Sequence, residues 1–302
     1  MTAGSPVFNR ENQKVLCGHL TQIKPVQPYP ALILQKNQKR ALVIADLHIG
    51  WERLLSKRGV HIPSQTPKIK NLLLKLIKES KPTQVIFLGD IKDAITNVQM
   101  EEWRDIPEFF EDIQKRVSDL QVILGNHDGN LEPLLPETVK IFPSTGVTFG
   151  DVGLFHGHAW PAPELLECRS LISGHVHPTV LIRDPMGFRM TRQVLVKAPC
   201  DGLQLAKRLL NHLGTKKSNN NLSAVLEKQY RVKVKVSQLF IMPSFNQFLG
   251  GRPINERKRG KNKREAFIGP ILRSGCINME DAEVYLLDGT FLGTVDKLKA
   301  LS

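Results

Sequence analysis

Polar side chains of the kind used for metal binding and acid–base chemistry follow five short apolar runs in the sequence. The clearest run lies at residues 121–129, where three apolar residues lead through a glycine into Asn126, His127 and Asp128. Similar runs lie at residues 41–48, 84–90, 153–158 and 171–177. An apolar run that ends in polar residues is typical of a buried strand followed by a loop. The sequence therefore predicts five strand ends that carry chemistry.

These strand ends contain an unusually complete set of metal ligands. The set is Asp46, His48, Asp90, Asn126, His156, His175 and His177. Carboxylate and amide oxygens suit hard divalent cations, whereas imidazole adds affinity for manganese, iron or zinc, so the mixed set indicates a transition metal. Seven ligands are too many for one ion. They suit two ions that share a carboxylate, about 3.5–4 Å apart, an arrangement used for in-line displacement at phosphorus.

Each of these residues has a simpler explanation when it is taken alone. A strand-end aspartate such as Asp46 or Asp90 is more often a turn or helix cap than a ligand. A single histidine usually belongs to the surface or to core packing. The simpler explanation would require coincidental caps at all five strand ends, so we favour the metal site.

The segments between the strand ends predict an α/β region followed by a region dominated by strands. Apolar residues recur at helical spacing over residues 64–80 and 97–117, and each helix leads into one of the apolar strands. This order predicts right-handed strand–helix–strand units. Pro107 predicts a kink or an interruption in the second helix. Beyond residue 138, short strands predict a second, largely antiparallel sheet, with its first strand at 139–142.

The C-terminal part predicts further elements and a division of the chain. The elements are a helix at 203–213, a flexible linker at 216–221, a long strand at 232–242 and a hairpin formed by 282–287 and 290–295. We expect a catalytic core at 1–200, a helical insertion and flexible linker at 201–231, and C-terminal strands with a basic loop at 232–302 that pack on the core.

The chain has 42 Lys and Arg residues against 29 Asp and Glu residues, a net charge of +13 that is concentrated towards the C-terminus. Such a surplus favours polyanionic partners, although a solvated basic face explains it equally well. Residues 252–264 form the most basic stretch and predict an exposed loop. Its candidates for nucleic-acid binding are Arg257, Lys258, Arg259, Lys261, Lys263 and Arg264.

Membrane and disulfide signals are both weak in the sequence. No stretch approaches the roughly 18 apolar residues of a membrane span, and residues 1–14 lack the apolar centre of a secretory signal. We therefore expect a cytoplasmic protein without membrane contact. The four cysteines form no CxxC pair, which indicates reduced, structural thiols. A zinc site is the alternative, but its spacing matches no finger pattern; it would use Cys168, His175, His177 and Cys200.

The ordered series of motifs resembles the calcineurin-like metallophosphoesterase superfamily. Its blocks are Asp46-Leu47-His48, Gly89-Asp90, Gly125-Asn126-His127-Asp128, His156-Gly157-His158 and Gly174-His175-Val176-His177. More narrowly, HGHAWP at 156–161 and IMPSFNQFLGG at 241–251 resemble an archaeal group of predicted phosphoesterases, which is similar to bacterial ligase-associated DNA-damage-response endonucleases. The resemblance implies an α/β fold: a four-layer α/β/β/α sandwich of two mixed sheets, with the metal ions at one end.

The resemblance also implies a role for each site residue. Asp46, His48 and His177 would bind one ion, Asn126, His156 and His175 the other, and Asp90 would bridge them. A metal-bridging hydroxide would attack phosphorus, while His127 assists the leaving group and Asp128 orients His127. The ions would be manganese, with iron, zinc or nickel as alternatives. His158 and Asp93 are candidates for supporting a ligand or contacting substrate.

Three functions fit these observations. The first is a hydrolase acting on ester bonds that cleaves phosphodiesters in nucleic acid, a nuclease with a role in DNA repair. The second is a phosphatase or phosphodiesterase acting on a small nucleotide, which needs the same ions but a closed pocket. The third is a non-enzymatic nucleic-acid-binding protein with a vestigial site, against which the complete ligand set argues. The basic loop has few aromatic residues, so stacking on single strands is not indicated. The sequence does not decide the oligomeric state.

Overall fold

The first sheet contains six strands whose order in space follows their order in the chain. The computed structural model describes residues 20–96, 98–184, 186–214, 222–256 and 268–302. The strands are β1 (Gln22–Pro25), β2 (Leu32–Lys36), β3 (Lys39–Ile44), β4 (Gln84–Leu88), β5 (Asp119–Ile123) and β6 (Lys140–Phe142). The first three pair antiparallel, and β3 to β6 pair parallel. Every residue of β4 is buried, as expected for a parallel strand covered on both faces.

Helices cover one face of the first sheet. They are α1 (Glu52–Ser56), α2 (Thr66–Ser80) and α3 (Met100–Gln114). The apolar faces of α2 and α3 pack with β3, β4 and β5 in one core that includes Leu73, Phe87 and Phe110. Of the kink or interruption predicted at Pro107, the interruption was wrong, because α3 continues through it. Its neighbours Ile106, Phe109 and Phe110 are fully buried, so core packing offsets the hydrogen bond that proline cannot donate.

The second sheet contains nine strands and is mixed. The strands are β7 (Val147–Phe149), β8 (Val152–Phe155), β9 (Ser170–Ser173), β10 (Pro178–Arg183), β11 (Arg189–Pro199), β12 (Gln238–Ile241), β13 (Arg252–Pro253), β14 (Glu283–Leu286) and β15 (Phe291–Thr294). The prediction of a largely antiparallel sheet was too simple, since β9 lies parallel between β8 and β12, and β10 pairs parallel with β13. Residues 140–142 belong instead to the first sheet, beside β5.

The outer face of the second sheet is covered by the remaining helices, which complete four layers. They are α4 (Gly202–His212), α5 (Leu222–Tyr230), α6 (Pro270–Ser274) and α7 (Val295–Leu298). A third core, which includes Leu34, Leu88, Leu154 and Ile172, joins the facing surfaces of the two sheets. The α/β/β/α sandwich of two mixed sheets is therefore confirmed. None of the helices in the described ranges has the length and apolar character needed to cross a bilayer.

The C-terminal predictions met different outcomes. The hairpin at 282–295 is present as β14 and β15, with Leu286 N–H donating to Thr290 O across the turn. The long strand at 232–242 was wrong, because only Gln238–Ile241 pairs as a strand. Val232 and Val236 are buried in alternation with exposed lysines. This alternation arises because the valines pack against the helical layer, not because the segment pairs in a sheet. The linker predicted at 216–221 lies outside the described residues.

Candidate functional site

The five polar strand ends meet at one edge of the two sheets. In the first sheet β3, β4 and β5 run parallel, and in the second sheet β8 and β9 run parallel. The residues that follow them leave these carboxyl ends, which is where open α/β sheets place ligand sites. They are, in chain order, Asp46, His48, Asp90, Asn126, His127, His156, His175 and His177.

Three overlapping groups of side chains at this edge could hold metal ions. Within each group the ligand atoms lie within 4.8 Å of one another. The groups are Asp46 with His48 and His177, Asp90 with His156 and His175, and His48 with Asp90 and His127. Asn126 lies beside them, with its Oδ1 3.2 Å from His156 Nε2. The structure thus brings all seven predicted metal ligands together, and it adds His127.

Two histidines from different sheets converge on Asp90 in the same way. Nδ1 of His48 lies 3.2 Å from Oδ1 of Asp93, and Nδ1 of His156 lies 2.6 Å from the carbonyl oxygen of Leu88. Since both partners accept hydrogen bonds, each Nδ1 is the donor, and each Nε2 is left with a lone pair when the ring is neutral. The Nε2 atoms lie 3.5 Å and 3.3 Å from Oδ2 of Asp90. Such partners commonly orient histidines that bind metals.

The backbone of the site is strained at five of these residues. Their φ angles are 58° at Asp46, 44° at His48, 51° at Asp90, 68° at His175 and 46° at His177. This left-handed region is uncommon for residues other than glycine. Each such residue costs about 1–3 kcal/mol, and such strain persists only where the surrounding fold enforces it, often at functional sites.

Glycines allow the strand ends to approach one another. A Cβ added at Gly125 would collide with the backbone N and Oδ1 of Asp90, and one at Gly174 would lie 2.7 Å from Oδ2 of Asp46. Gly125 precedes Asn126 and Gly174 precedes His175, so each glycine brings a ligand-bearing loop against a carboxylate of the first sheet. The Gly residues of the sequence motifs therefore serve close packing within the site.

The pKa values of Asp46 and Asp90 both lie below the usual value for aspartate. Burial acts to raise the pKa of Asp46, but the nearby charge of His177 outweighs this effect. Burial likewise acts to raise the pKa of Asp90, and the hydrogen bond and charge of His156 lower it overall. Two buried negative charges at one edge require positive charge nearby.

The histidines divide into those that supply this positive charge and those that do not. Burial lowers the pKa of His156, but its hydrogen bond with Asp90 and the nearby carboxylates raise it overall, to about 9. His175 differs, since burial and then the charge of His156 lower its pKa to about 4. The positive charge of His156 thus balances part of the negative charge of Asp46 and Asp90.

The catalytic pair inferred from the resemblance does not form as expected. Asp128 was expected to orient His127, but its Oδ1 accepts from Ile91 N–H at 2.8 Å and its Oδ2 accepts from Gly125 N–H at 2.7 Å. Asp128 therefore ties the loop after β5 to the loop after β4. Nδ1 of His127 instead lies 2.5 Å from the carbonyl oxygen of Asp93, and this contact orients the ring.

Residues 244–246, which follow β12, complete the site. The sequence alone predicted no role for them. The Oγ of Ser244 donates to Asp46 O at 2.7 Å, Phe245 N–H donates to Ala45 O at 2.7 Å, and Asn246 Nδ2 donates to Leu47 O at 2.9 Å. These bonds hold the loop that carries Asp46 and His48. The available signal was the motif at 241–251, in which the polar residues Ser244 and Asn246 are set among apolar ones.

The remaining candidates fall beside the cluster, away from it, or outside the described residues. His158 lies beside it, with its ring centroid 5.2 Å from that of His156. The cysteines lie away from it: no metal-binding group among the described residues contains one, so the alternative zinc site is not formed. Cys168 and Cys200 are free and buried, and burial raises the pKa of their thiols to about 11 and about 12. The basic candidates Arg257, Lys258, Arg259, Lys261, Lys263 and Arg264 lie outside the described residues.

The family assignment agrees with this geometry. Residues 39–179 match the family model described as calcineurin-like phosphoesterase, and this range contains all five polar strand ends. The chain contains a calcineurin-like phosphoesterase domain. It is accordingly a hydrolase acting on ester bonds.

Solved structures of similar chains were also found. The nuclease MPE of Pseudomonas putida is 17% identical over 89% of this chain and 98% of its own, with a TM-score of 0.47. The phosphoesterase Yfce of E. coli is 19% identical over 48% of this chain and 73% of its own, with a TM-score of 0.31. The search of curated proteins gave no match.

We predict that Gly125→Ala lowers the free energy of unfolding by about 1–3 kcal/mol, because its methyl group would displace the Asp90 carboxylate from a packed site. Gly129→Ala is the matched control in the same loop, since its methyl group would meet only Ile95 O at 3.4 Å. Urea denaturation followed by circular dichroism measures both. Equal stability of the two variants would contradict the close approach described for Gly125.

Proposed function

We propose that this chain hydrolyses phosphodiester bonds in nucleic acid and uses two divalent transition-metal ions that share Asp90. The observation that carries the proposal is the position of Asp90 in two groups of potential ligands, one of which extends to His156 and His175. Asp46, His48 and His177 would hold the first ion, and Asn126, His156 and His175 the second. The ligand types fit manganese, with iron, zinc or nickel as alternatives.

The state of the ligand atoms supports metal binding. Nε2 of His48 and Nε2 of His177 are buried and have no hydrogen-bond partner among the described residues. Buried polar atoms normally have partners, and an orphaned one calls for an explanation. Both atoms face carboxylates, at 3.5 Å from Asp90 and 3.4 Å from Asp46. A cation between each pair would satisfy the histidine nitrogen and the carboxylate together.

The ions, when bound, would supply an activated water and neutralise the charge that develops on the phosphoryl oxygens. The protein residues do the rest. Asp93 Oδ1 and Leu88 O hold His48 and His156 with Nε2 towards Asp90. The carbonyl oxygen of Asp93 accepts from Nδ1 of His127. Nε2 of His127 is therefore the atom that, in the protonated ring, can give its proton to the leaving-group oxygen and be left with a lone pair.

The choice of nucleic acid as substrate rests on charge. The net charge of +13 favours a polyanion, and the six basic residues at 257–264 add to that charge. A small nucleotide is the alternative substrate, since it would use the same ions. A vestigial, non-enzymatic site is disfavoured because no ligand position has been lost. The DNA-repair role and the cytoplasmic location stay predictions from the sequence.

A substrate panel with manganese tests this proposal. It should contain a chromogenic diester, a monoester, mononucleotides, and single- and double-stranded DNA and RNA. We expect hydrolysis of the diester and of at least one nucleic acid. Efficient cleavage of a mononucleotide together with intact nucleic acids would replace the proposal by the small-nucleotide alternative.

We predict that Asp90→Ala lowers bound manganese from two ions per chain towards none, because both sites lose a shared carboxylate. Asp119→Ala removes a half-exposed carboxylate that pairs with Lys140 at the far end of β5, and it should keep both ions. Metal analysis after dialysis against manganese measures the content. One tightly held ion in Asp90→Ala would show that the two sites are independent.

We predict that His127→Ala keeps both ions but lowers kcat for the chromogenic diester by about 100- to 10,000-fold, the range for general acid–base groups. His61→Ala, which removes an exposed histidine, is the control and should retain full activity. Metal analysis must accompany the kinetics. Loss of metal in proportion to activity would mean that His127 is a ligand, as its grouping with His48 and Asp90 allows.

A further inference from the structure

A cationic trough lies directly beside the metal cluster, on the outer side of the second sheet. It has a volume of about 670 Å³ and is formed by the loop after β8, the last turns of α4, and α6. Its functional side chains are His158, Trp160, Arg208, His212 and Arg273, and none of its lining residues is acidic. Neither α4 nor α6 contributes a ligand to the cluster, so the trough is a feature additional to it.

The trough is adjacent to two of the proposed ligands. The ring centroid of His158, which lines the trough, lies 5.2 Å from that of His156 and 6.0 Å from that of His175. Gly269 forms part of the same wall, and a Cβ placed there would lie 3.9 Å from Cδ2 of His175. A group bound in the trough would therefore be a close neighbour of a phosphate bound at the ions.

The charge of Arg208 is available for a ligand. Arg208 and His212 lie four residues apart on α4 and so project from the same side of the helix. Arg208 is exposed and forms no ion pair with any described carboxylate. Nδ1 of His158 is buried and has no hydrogen-bond partner among the described residues. Arg208 and His212 are exposed and can donate to an anion, and none of the residues that line the trough is acidic.

Trp160, the aromatic residue of the trough, lines its side and does not offer the ring face that His212 covers for stacking on a base. The indole of Trp160 is covered by the ring of His212, with centroids 5.7 Å apart and planes at 27°. Trp160 also packs against the core of the second sheet. The indole face that meets His212 is therefore not open to a base, whereas a phosphate can reach the guanidinium group of Arg208. The exposure of Arg208, His212 and Arg273 leaves the trough open, so that a polymer could continue beyond it.

We infer that this trough binds a backbone phosphate next to the scissile phosphodiester of a nucleic-acid strand. The inference rests on the proposed phosphodiesterase function. Arg208 supplies the main charged contact, Arg273 closes the trough from α6, and His158 links it to the cluster. An arginine hydrogen bond to phosphate is charge-assisted and geometrically specific, which suits a subsite that sets the register of a strand.

The test compares Arg208→Gln with Lys207→Gln, which removes an equal charge from the adjacent exposed position outside the trough. The manganese-loaded full chain is assayed on labelled DNA, with labelled RNA in parallel, on nitrophenyl thymidylate and on a chromogenic diester without a nucleoside. Arg208→Gln should lower kcat/KM for the DNA by about 10-fold or more, and its salt slope should fall by about 0.7. Hydrolysis of both small diesters should stay at the parental level, as should every activity of Lys207→Gln.

Three outcomes would overturn the inference. Equal losses on DNA in Arg208→Gln and Lys207→Gln would mean that only general charge matters. An equal loss on nitrophenyl thymidylate would mean that the trough binds part of a single nucleotide. An equal loss on the diester without a nucleoside would mean that the substitution damages the metal site. Failure of the proposed function gives a separate result: the parent itself would cleave the small diesters and leave DNA and RNA intact.

Discussion

The burial of one carboxylate, Asp90, is the constraint on which the rest of the site depends. Asp90 is 2% exposed, and its Oδ2 faces His48 Nε2 and His156 Nε2, which come from different sheets. Removing a carboxylate from water costs several kcal/mol, and the cost is recovered only by close hydrogen bonds and positive charge. His127 N–H supplies one such bond at 2.9 Å. The two sheets must therefore be held in register for the charge to be tolerated.

The fold provides that register through the core between the sheets and through the segment that follows β12. Leu88, which precedes the Gly89–Asp90 turn, is buried in this core with Ile172 and Met242. Met242 N–H donates to Ser173 O in the second sheet, and three residues later Phe245 N–H donates to Ala45 O in the first. One short segment thus joins both sheets beside the site. Such anchoring explains how five residues can keep strained φ angles.

Local sequence patterns predicted which side chains the structure brings together, because these residues are grouped in short motifs at strand ends. The helices at 64–80 and 97–117 and the strands after them were also predictable, since each buries a regular apolar face. What failed depended on contacts between distant segments. Val232 and Val236 alternate like a strand but pack against helices, and Asp128 bonds to Ile91 rather than to its neighbour His127. A local sequence pattern cannot predict a hydrogen-bond partner that lies 37 residues away in the chain.

The trough beside the cluster was hidden from the sequence for the same reason. His158, Arg208 and Arg273 are separated by long stretches of chain and meet only when α4 and α6 pack on the second sheet. A basic surplus can be counted from composition, but the position of a charge relative to the reacting phosphate cannot. The position of an arginine decides whether it adds specificity for a bound strand or only a general attraction for nucleic acid.

The central claim is that Asp90 bridges two metal ions, and anomalous diffraction from crystals soaked in manganese tests it most directly. The account predicts two anomalous peaks about 3.5–4 Å apart. One peak should adjoin Asp46, His48 and His177, the other Asn126, His156 and His175, and both should contact Asp90. A single peak at full occupancy, or two peaks of which only one contacts Asp90, would contradict the account.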